Sequence, residues 1–355
     1  MPGALEGLTV LEFAGIGPAP FACMMLADHG ARVIRIDRPA QGQRIGDSAD
    51  RDILNRNRER IELNLKDPAS IVQIRELAKQ ADVVIEGYRP GVMERLGLGP
   101  DVLLADNPRL IFGRMTGWGQ DGPMAPLAGH DINYIALAGA LHGFGQAGGK
   151  PQLPVNLVGD FGGGGMLMAF GVMAAVFSAQ RTGKGQVIDC AMVDGAAILS
   201  AMTYTFLGNG MWKDERGVNM LDGGAHFYDT YETSDGKYVS IGSIEPQFYA
   251  LLLEKTGLAD DLAFAPQMDP QVWPELKHRL NTLFLTKTRA EWCAIMDGTD
   301  VCFAPVLSLR EAPQHPHNVA RGTFVEAGGM IMPGPAPRFL GTPAARPVLA
   351  PRAAD

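Results

Sequence analysis

The chain has 355 residues, 46% of them hydrophobic and 20% charged, with a formal net charge of −8. That length suggests roughly two domains, and the composition is that of a soluble globule with material for a sizeable core. Its 44 glycines and 25 prolines stay below the roughly 25–30% that marks a disordered chain.

An acidic chain without a basic run lacks the electrostatic footprint of a nucleic-acid binder, so no nucleic-acid partner is expected. Cys23, Cys190, Cys293 and Cys302 are scattered, with no C-x-x-C pair. Neither a disulfide framework nor a zinc site is expected, and a reducing, cytoplasmic setting fits. Met1-Pro2-Gly3-Ala4-Leu5-Glu6 has neither the basic nor the apolar region of a signal peptide. The longest greasy stretch, Met166 to Ala179, falls short of the roughly 18 residues a membrane span needs. No membrane span is expected.

In chain order, Leu8 to Phe13, Arg32 to Asp37, Ile61 to Leu65, Asp82 to Gly87 and Leu110 to Met115 read as strands. An apolar segment from Phe21 to Leu26 follows the first of them, and Asp67 to Gln80 reads as a helix with Asp67 as its N-cap. Strands alternating with helical patterns predict βαβ units and a parallel sheet. Consecutive apolar residues such as Val83-Val84-Ile85 suit strands covered on both faces. A helix is predicted from Ile132 to Leu141. From Gly162 to Leu207 the chain is rich in Gly, Ala and Met. Two segments there, apolar almost all round, flank a strand from Gln186 to Asp189 and need cover on several faces.

After Gly224 the pattern changes. Phe227 to Thr233 and Lys237 to Ile244 predict a hairpin turning at Asp235-Gly236. Helices over Pro246–Gly257, Trp273–Thr286 and Thr288–Met296 and a strand over Val301–Leu307 complete a small α+β unit. The tail from Pro333 is too proline-rich for helix. The expected division is a large domain over 1–200 completed by 315–355, a linker over 201–224, and a small α+β domain over 225–314.

Gly15-Ile16-Gly17-Pro18-Ala19-Pro20, with Asp37 at the end of the second strand, echoes the dinucleotide fingerprint G-x-G-x-x-G plus acid. The third glycine is replaced by Pro20, and Pro18 and Pro20 remove two N–H donors from a loop that would cradle pyrophosphate. A tight strand-to-helix turn is the better reading.

More specific are Ala14-Gly15-Ile16-Gly17-Pro18, Ile36-Asp37-Arg38-Pro39, Glu86-Gly87-Tyr88-Arg89-Pro90-Gly91 and Met115-Thr116-Gly117-Trp118-Gly119-Gln120. They are followed by Gly129-His130-Asp131-Ile132-Asn133-Tyr134, Asn156 to Gly164, Met220-Leu221-Asp222-Gly223-Gly224, and Ile244-Glu245-Pro246-Gln247-Phe248-Tyr249. Eight motifs in this order, spread from Leu8 to about Phe339, resemble the alpha-methylacyl-CoA racemases of the class III CoA-transferase superfamily. The resemblance implies an α/β fold, with a Rossmann-like large domain carrying a parallel sheet and a small α+β domain, in an interlocked homodimer. It also implies an acyl-CoA thioester as substrate, with no cofactor and no metal, and a place in lipid metabolism.

Inverting the carbon alpha to a thioester carbonyl needs a base on one face and an acid on the other. The resemblance gives those roles to His130 and Asp160, and to Glu245 the contact that orients the histidine. Read locally, Asp160 would cap the helix behind its four glycines, which would admit pantetheine close to the main chain and offer N–H groups to an oxyanion. Arg38, Arg89 and Arg95 match phosphate- or adenine-side contacts, and arginine suits bidentate phosphate recognition. Leu63, Asn64, Leu65, Lys66, Gly87 and Tyr88 match segments lining the nucleotide. Gly129, Asp131, Ile132, Asn133 and Tyr134 complete the expected substrate contacts. The alternative on the same fold is a CoA transferase with Asp160 as nucleophile. His130 discriminates, since a transferase needs no second base there.

Overall fold

The computed structural model describes residues 3–39 and 52–349. Its contacts divide the chain into two compact units. The first comprises Met1–Ala138, Pro154–Ser200 and Pro316–Asp355; the second comprises Gly139–Leu153 and Ala201–His315. Residues 139–153, inside the expected large domain, thus group with the second unit, as do the expected linker residues 201–224.

In the first unit, β1 (Thr9–Phe13), β2 (Arg32–Asp37), β3 (Glu59–Glu62), β4 (Val83–Glu86), β5 (Ile111–Thr116) and β6 (Gln186–Ala191) form one sheet in the order β3-β2-β1-β4-β5-β6. Every pairing is parallel, as the alternating pattern predicts. The crossovers carry helices α1 (Pro18–Asp28), α2 (Pro68–Gln80), α3 (Val92–Arg95), α4 (Pro100–Asp106), α5 (Asp131–Leu137) and α6 (Leu167–Thr182). Alternate strand residues feed two cores. Val10, Val33, Val83 and Ile85 pack under α1 and α6, while Leu11, Ile34, Val84 and Phe112 pack under α2 and α4.

The third strand begins two residues earlier than the apolar run suggested and ends before Leu63. It is an edge strand whose sequence, Glu-Arg-Ile-Glu, pairs by charge: Arg32 binds Glu59 at 2.8 Å and Arg60 binds Asp37 at 2.7 Å. Asp67 caps α2 as expected, accepting the N–H groups of Ala69 and Ser70. The helix after His130 stops at Leu137, because Gly139 takes φ +83° and turns the chain.

Residues Leu157–Met166 form a π-helix that runs directly into α6. The continuous stretch Leu157–Thr182 is therefore 26 residues long and apolar enough, by length and composition, to cross a membrane. The expectation of a segment too short to span is corrected on that point. Met168, Val172, Ala175 and Ala179 of this helix are buried in the core of the first unit. Phe170 and Phe177 on its other face remain exposed.

Helix α7 (Met192–Leu199) crosses the π-helix at backbone distance. A Cβ on Gly195 would meet the carbonyl oxygen of Gly163 at 1.9 Å. Gly195→Ala should therefore force the two helices apart and cost roughly 1–3 kcal/mol or more. Urea unfolding measures it, and an unchanged midpoint would mean that the crossing adapts freely.

The second unit carries α8 (Ala201–Gly208) and a three-stranded sheet of β7 (Tyr228–Glu232), β8 (Tyr238–Gly242) and β9 (Phe303–Val306), all antiparallel. Gly236 at φ +69° makes the predicted hairpin turn. Helices α9 (Pro246–Thr256), α10 (Trp273–Phe284) and α11 (Arg289–Met296) supply Tyr249, Leu252, Leu276, Phe284 and Trp292 to its core. Back in the first unit, α12 (Pro316–Arg321) precedes a hairpin of β10 (Phe324–Ala327) and β11 (Met330–Pro333), a pair the sequence reading missed.

Candidate active site

In open parallel sheets the ligand crevice lies beyond the carboxyl ends of the strands, where the strand order reverses. Here that point falls between β1 and β4. The segments leaving β1 (Gly15–Ala19), β4 (Gly87–Pro90) and β5 (Thr116–Trp118) line one cleft of about 660 Å³, walled on its other side by Leu127–His130, Tyr134, Asn156, Asp160 and Met192. All of these residues belong to the first unit. Gly17, at φ +71°, turns the chain into α1, and Pro18 opens that helix. This is the strand-to-helix turn that the two prolines predict. Asp37, the acid of the apparent fingerprint, is bound by Arg35 at 3.0 Å and Arg60 at 2.7 Å, so its carboxylate is committed within the protein.

His130 is the N-cap of α5, with extended backbone and an exposed side chain. Its N–H donates to Asn133 Oδ1 at 3.0 Å. Two glycines give it its place. A Cβ on Gly117 would lie 2.1 Å from the Tyr134 ring, and one on Gly129 would lie 2.7 Å from it. Tyr134 thus packs directly on the main chain at both positions, with Trp118 edge-on at 4.8 Å between ring centres.

Asp160 is the fourth residue of the π-helix and is not a cap. Its N–H donates to Asp131 Oδ2 at 2.7 Å and its Oδ2 accepts from Asn156 Nδ2 at 3.2 Å. The Asp160 N–H is therefore not free for an oxyanion, which corrects that part of the sequence reading. Its carboxylate reaches the β1 loop, since a Cβ on Gly17 would lie 3.3 Å from Oδ2. Burial holds the Asp160 carboxyl above the usual carboxylate range; the Asn156 bond opposes this, neighbouring Asp131 adds to it, and His130 opposes it. Asp131 is itself buried, and its Oδ1 has no hydrogen-bond partner. Gly159 leaves it room, because a Cβ there would approach Oδ2 to 2.5 Å.

The glycines after Phe161 serve packing, not substrate approach. A Cβ at Gly163 would meet Ala196 N at 2.7 Å, at Gly164 Met192 and Pro18 at 2.9 Å, and at Gly165 Phe21 at 2.6 Å. Their missing side chains let α1 and α7 close on the π-helix.

Among the expected contacts, Gly87, Tyr88, Arg89, Gly129, His130, Tyr134 and Asp160 line the cleft. Arg38 stands beside it, its guanidinium 5.0 Å above the Tyr88 ring. Leu65 is buried in the core, Leu63 is half-buried, and Asn64 and Lys66 are exposed, with Asn64 Oδ1 accepting the Lys66 N–H. Asp131 acts from behind Asp160, while Ile132 and Asn133 are exposed on α5. Arg95 is exposed on α3. Apart from Gly87, Tyr88, Arg89, Gly129 and Tyr134, then, none of the expected substrate contacts lines this cleft. Glu245, exposed, precedes α9 in the second unit. The expected site residues omitted the Gly15–Ala19 turn, Thr116–Trp118 and Asn156. The signal for the first is the Ala14-Gly15-Ile16-Gly17-Pro18 motif, which reads as a tight turn and a family motif without being assigned a substrate contact. Among the described residues no cluster of three or more His, Cys, Asp or Glu side chains could hold a metal ion.

Residues 5–354 match the model of CoA-transferase family III. The chain belongs to that family. Among relatives within and around it, the human alpha-methylacyl-CoA racemase is 48% identical over 342 residues, covering 96% of this chain and 88% of that one. The mouse alpha-methylacyl-CoA racemase is 46% identical, with 96% and 87% covered. The crystal structure of Rv3272 from M. tuberculosis superimposes with a TM-score of 0.81 at 28% identity, covering 97% of this chain and 96% of that one. This family III member therefore has the α/β fold of a solved relative along nearly its whole length.

Proposed function

We propose that this protein is a racemase of 2-methylacyl-CoA thioesters, working by two-base proton transfer with no cofactor. The observation that carries the reading is the placing of His130 and Asp160 on one cleft at the carboxyl ends of the strands. One is an imidazole, a group able both to accept and to return a proton. The other is a carboxyl that burial shifts toward its protonated form. Such a pair can serve a base on one face and an acid on the other. One group takes the C2 proton, the electron pair moves onto the thioester oxygen as an enolate, and the other group returns a proton to the opposite face of C2. In the reverse direction the roles exchange.

Asp131 supports this by fixing the main chain of Asp160, and Asn156 fixes its carboxylate. Glu245 as the residue that orients the imidazole, and a homodimer as the working assembly, belong to the same proposal. The exposed Phe170 and Phe177 on α6 support an apolar face covered by a second copy.

The test is incubation with one epimer of a 2-methylacyl-CoA in deuterated water, with no acceptor acid added. Deuterium should enter at C2, and either epimer should drift toward a near-equal mixture. If label and configuration stay fixed while CoA passes to an added carboxylic acid, a transferase with Asp160 as nucleophile replaces this reading.

A further inference from the structure

Beneath the β4 loop lies a charged chain that the two-base scheme does not use. Glu86, the last residue of β4, is fully buried. Its Oε2 accepts the Tyr88 N–H at 2.6 Å, and its Oε1 accepts from Arg114 Nε at 3.2 Å. Arg114 is the residue opposite Glu86 on β5, and its two terminal nitrogens grip Glu94 of α3 at 2.7 and 3.3 Å. The charged groups facing Glu86 are therefore Arg114 from β5 and Glu94 from α3, with Arg95 beside the latter. On β1, Glu12 alternates to the opposite face of the sheet with Arg35 and Arg58.

The residue held by this carboxylate lines the cleft. Tyr88 carries the Arg38 guanidinium on its ring, meets Phe13 in a T-shaped contact at 6.2 Å between ring centres, and is followed by exposed Arg89. A buried anion bonded to a main-chain N–H just past a strand end fixes where that loop leaves the sheet. Such charge-assisted bonds are roughly twice as strong as neutral ones.

We propose that Glu86 is a positioning residue: in its ionised form it holds the Gly87–Pro90 loop so that Tyr88, Arg38 and Arg89 present one cationic, aromatic face to the nucleotide end of the substrate. The proposal rests on the acyl-CoA reading of the cleft. It adds a dependence on pH. Burial pushes the Glu86 carboxyl up to about 7, against the opposing pull of the Tyr88 N–H and Arg114. Above that pH the carboxylate keeps both bonds at full strength. Below it the carboxyl becomes neutral, the Tyr88 N–H loses a charged acceptor, and Arg114 is left with Glu94 alone.

Two measurements on the intact protein test this, with Glu86→Gln as the variant because Gln keeps the volume and loses the charge. In the first, without ligand, hydrogen exchange of the peptide containing Tyr88 is followed from about pH 6 to about pH 8.5 and corrected for the intrinsic rate. Protection in the unsubstituted protein should rise through about pH 7, and in E86Q it should stay low and flat. In the second, the dissociation constant of free CoA is measured for both proteins over the same range. The phosphates of CoA titrate alike in both, so the ratio of the two constants isolates Glu86. That ratio should be about 3–10 at high pH, the difference between a charged and a neutral acceptor for one bond, and approach one at low pH. A flat exchange profile in the unsubstituted protein, a ratio near one at high pH, or a ratio constant across the range would overturn the proposal. If exchange follows Glu86 but CoA binds neither protein, the acyl-CoA reading fails while the hold on the loop stands.

Discussion

Asp160→Asn should lower inversion at C2 by about 10²–10⁴-fold, the usual contribution of a general acid–base group. Asn is the informative substitution because the surroundings of Asp160 can stay as they are. The main-chain N–H still donates to Asp131, and the side chain keeps the size that touches the Gly17 turn. Only the proton-carrying group is lost. With one base per face, exchange of the C2 proton with solvent should survive on one epimer alone, through His130. His130→Ala should give the mirror result, with exchange surviving on the other epimer through Asp160. A transferase behaves differently, losing its covalent intermediate in Asp160→Asn while tolerating His130→Ala. Measurement of deuterium incorporation and configuration for each epimer separates these cases. Near-native racemisation of both epimers by His130→Ala, or loss of exchange on the same epimer in both variants, would end the two-base scheme.

The strands of the first sheet were legible because most of them are covered on both faces and read as unbroken apolar runs, Val83-Val84-Ile85 above all. The edge strand was misplaced for the opposite reason. Glu59 to Glu62 is held by ion pairs to its neighbour, so its pattern carries little hydropathy signal. His130 and Asp160 could be named from ordered motifs, yet their local structure could not. A cap and a π-helical position share the same Asp-Phe-Gly-Gly string, and only the packing of α1 and α7 against Gly163 to Gly165 decides between them. The same long-range contacts explain why the glycine run looked like a path for substrate and is instead a helix crossing. In the sequence Glu86 is only the first residue of the Glu-Gly-Tyr-Arg-Pro-Gly motif. Its role depends on Arg114 and Glu94, residues that the register of β4 on β5 and the position of α3 bring to it. Sequence order does not display that convergence.

Glu12→Gln should cost about 3–5 kcal/mol of stability, the range seen when one partner is removed from a buried ion pair. Glu12 lies on the central strand β1, fully buried, and each of its oxygens serves a different arginine: Oε1 binds Arg35 at 2.8 Å and Oε2 binds Arg58 at 2.6 Å. Both guanidiniums are themselves buried. Arg35 also bonds Asp37 and the Gly15 carbonyl, while Arg58 bonds Asn55 and the Pro20 carbonyl. The substitution thus leaves Arg35 with Asp37, a carboxylate that also serves Arg60, and leaves Arg58 with the neutral acceptors Asn55 and the Pro20 carbonyl. Gln keeps the shape, so the loss reports charge and not a cavity. Part of the effect should reach the cleft, because the Gly15 and Pro20 carbonyls hold either end of the turn that carries Gly17 past Asp160. Urea unfolding gives the stability, and C2 exchange under conditions where the variant is fully folded gives the effect on the site. An unfolding free energy within about 1 kcal/mol of the unsubstituted protein would mean that the neighbouring acceptors, and not Glu12, neutralise these arginines.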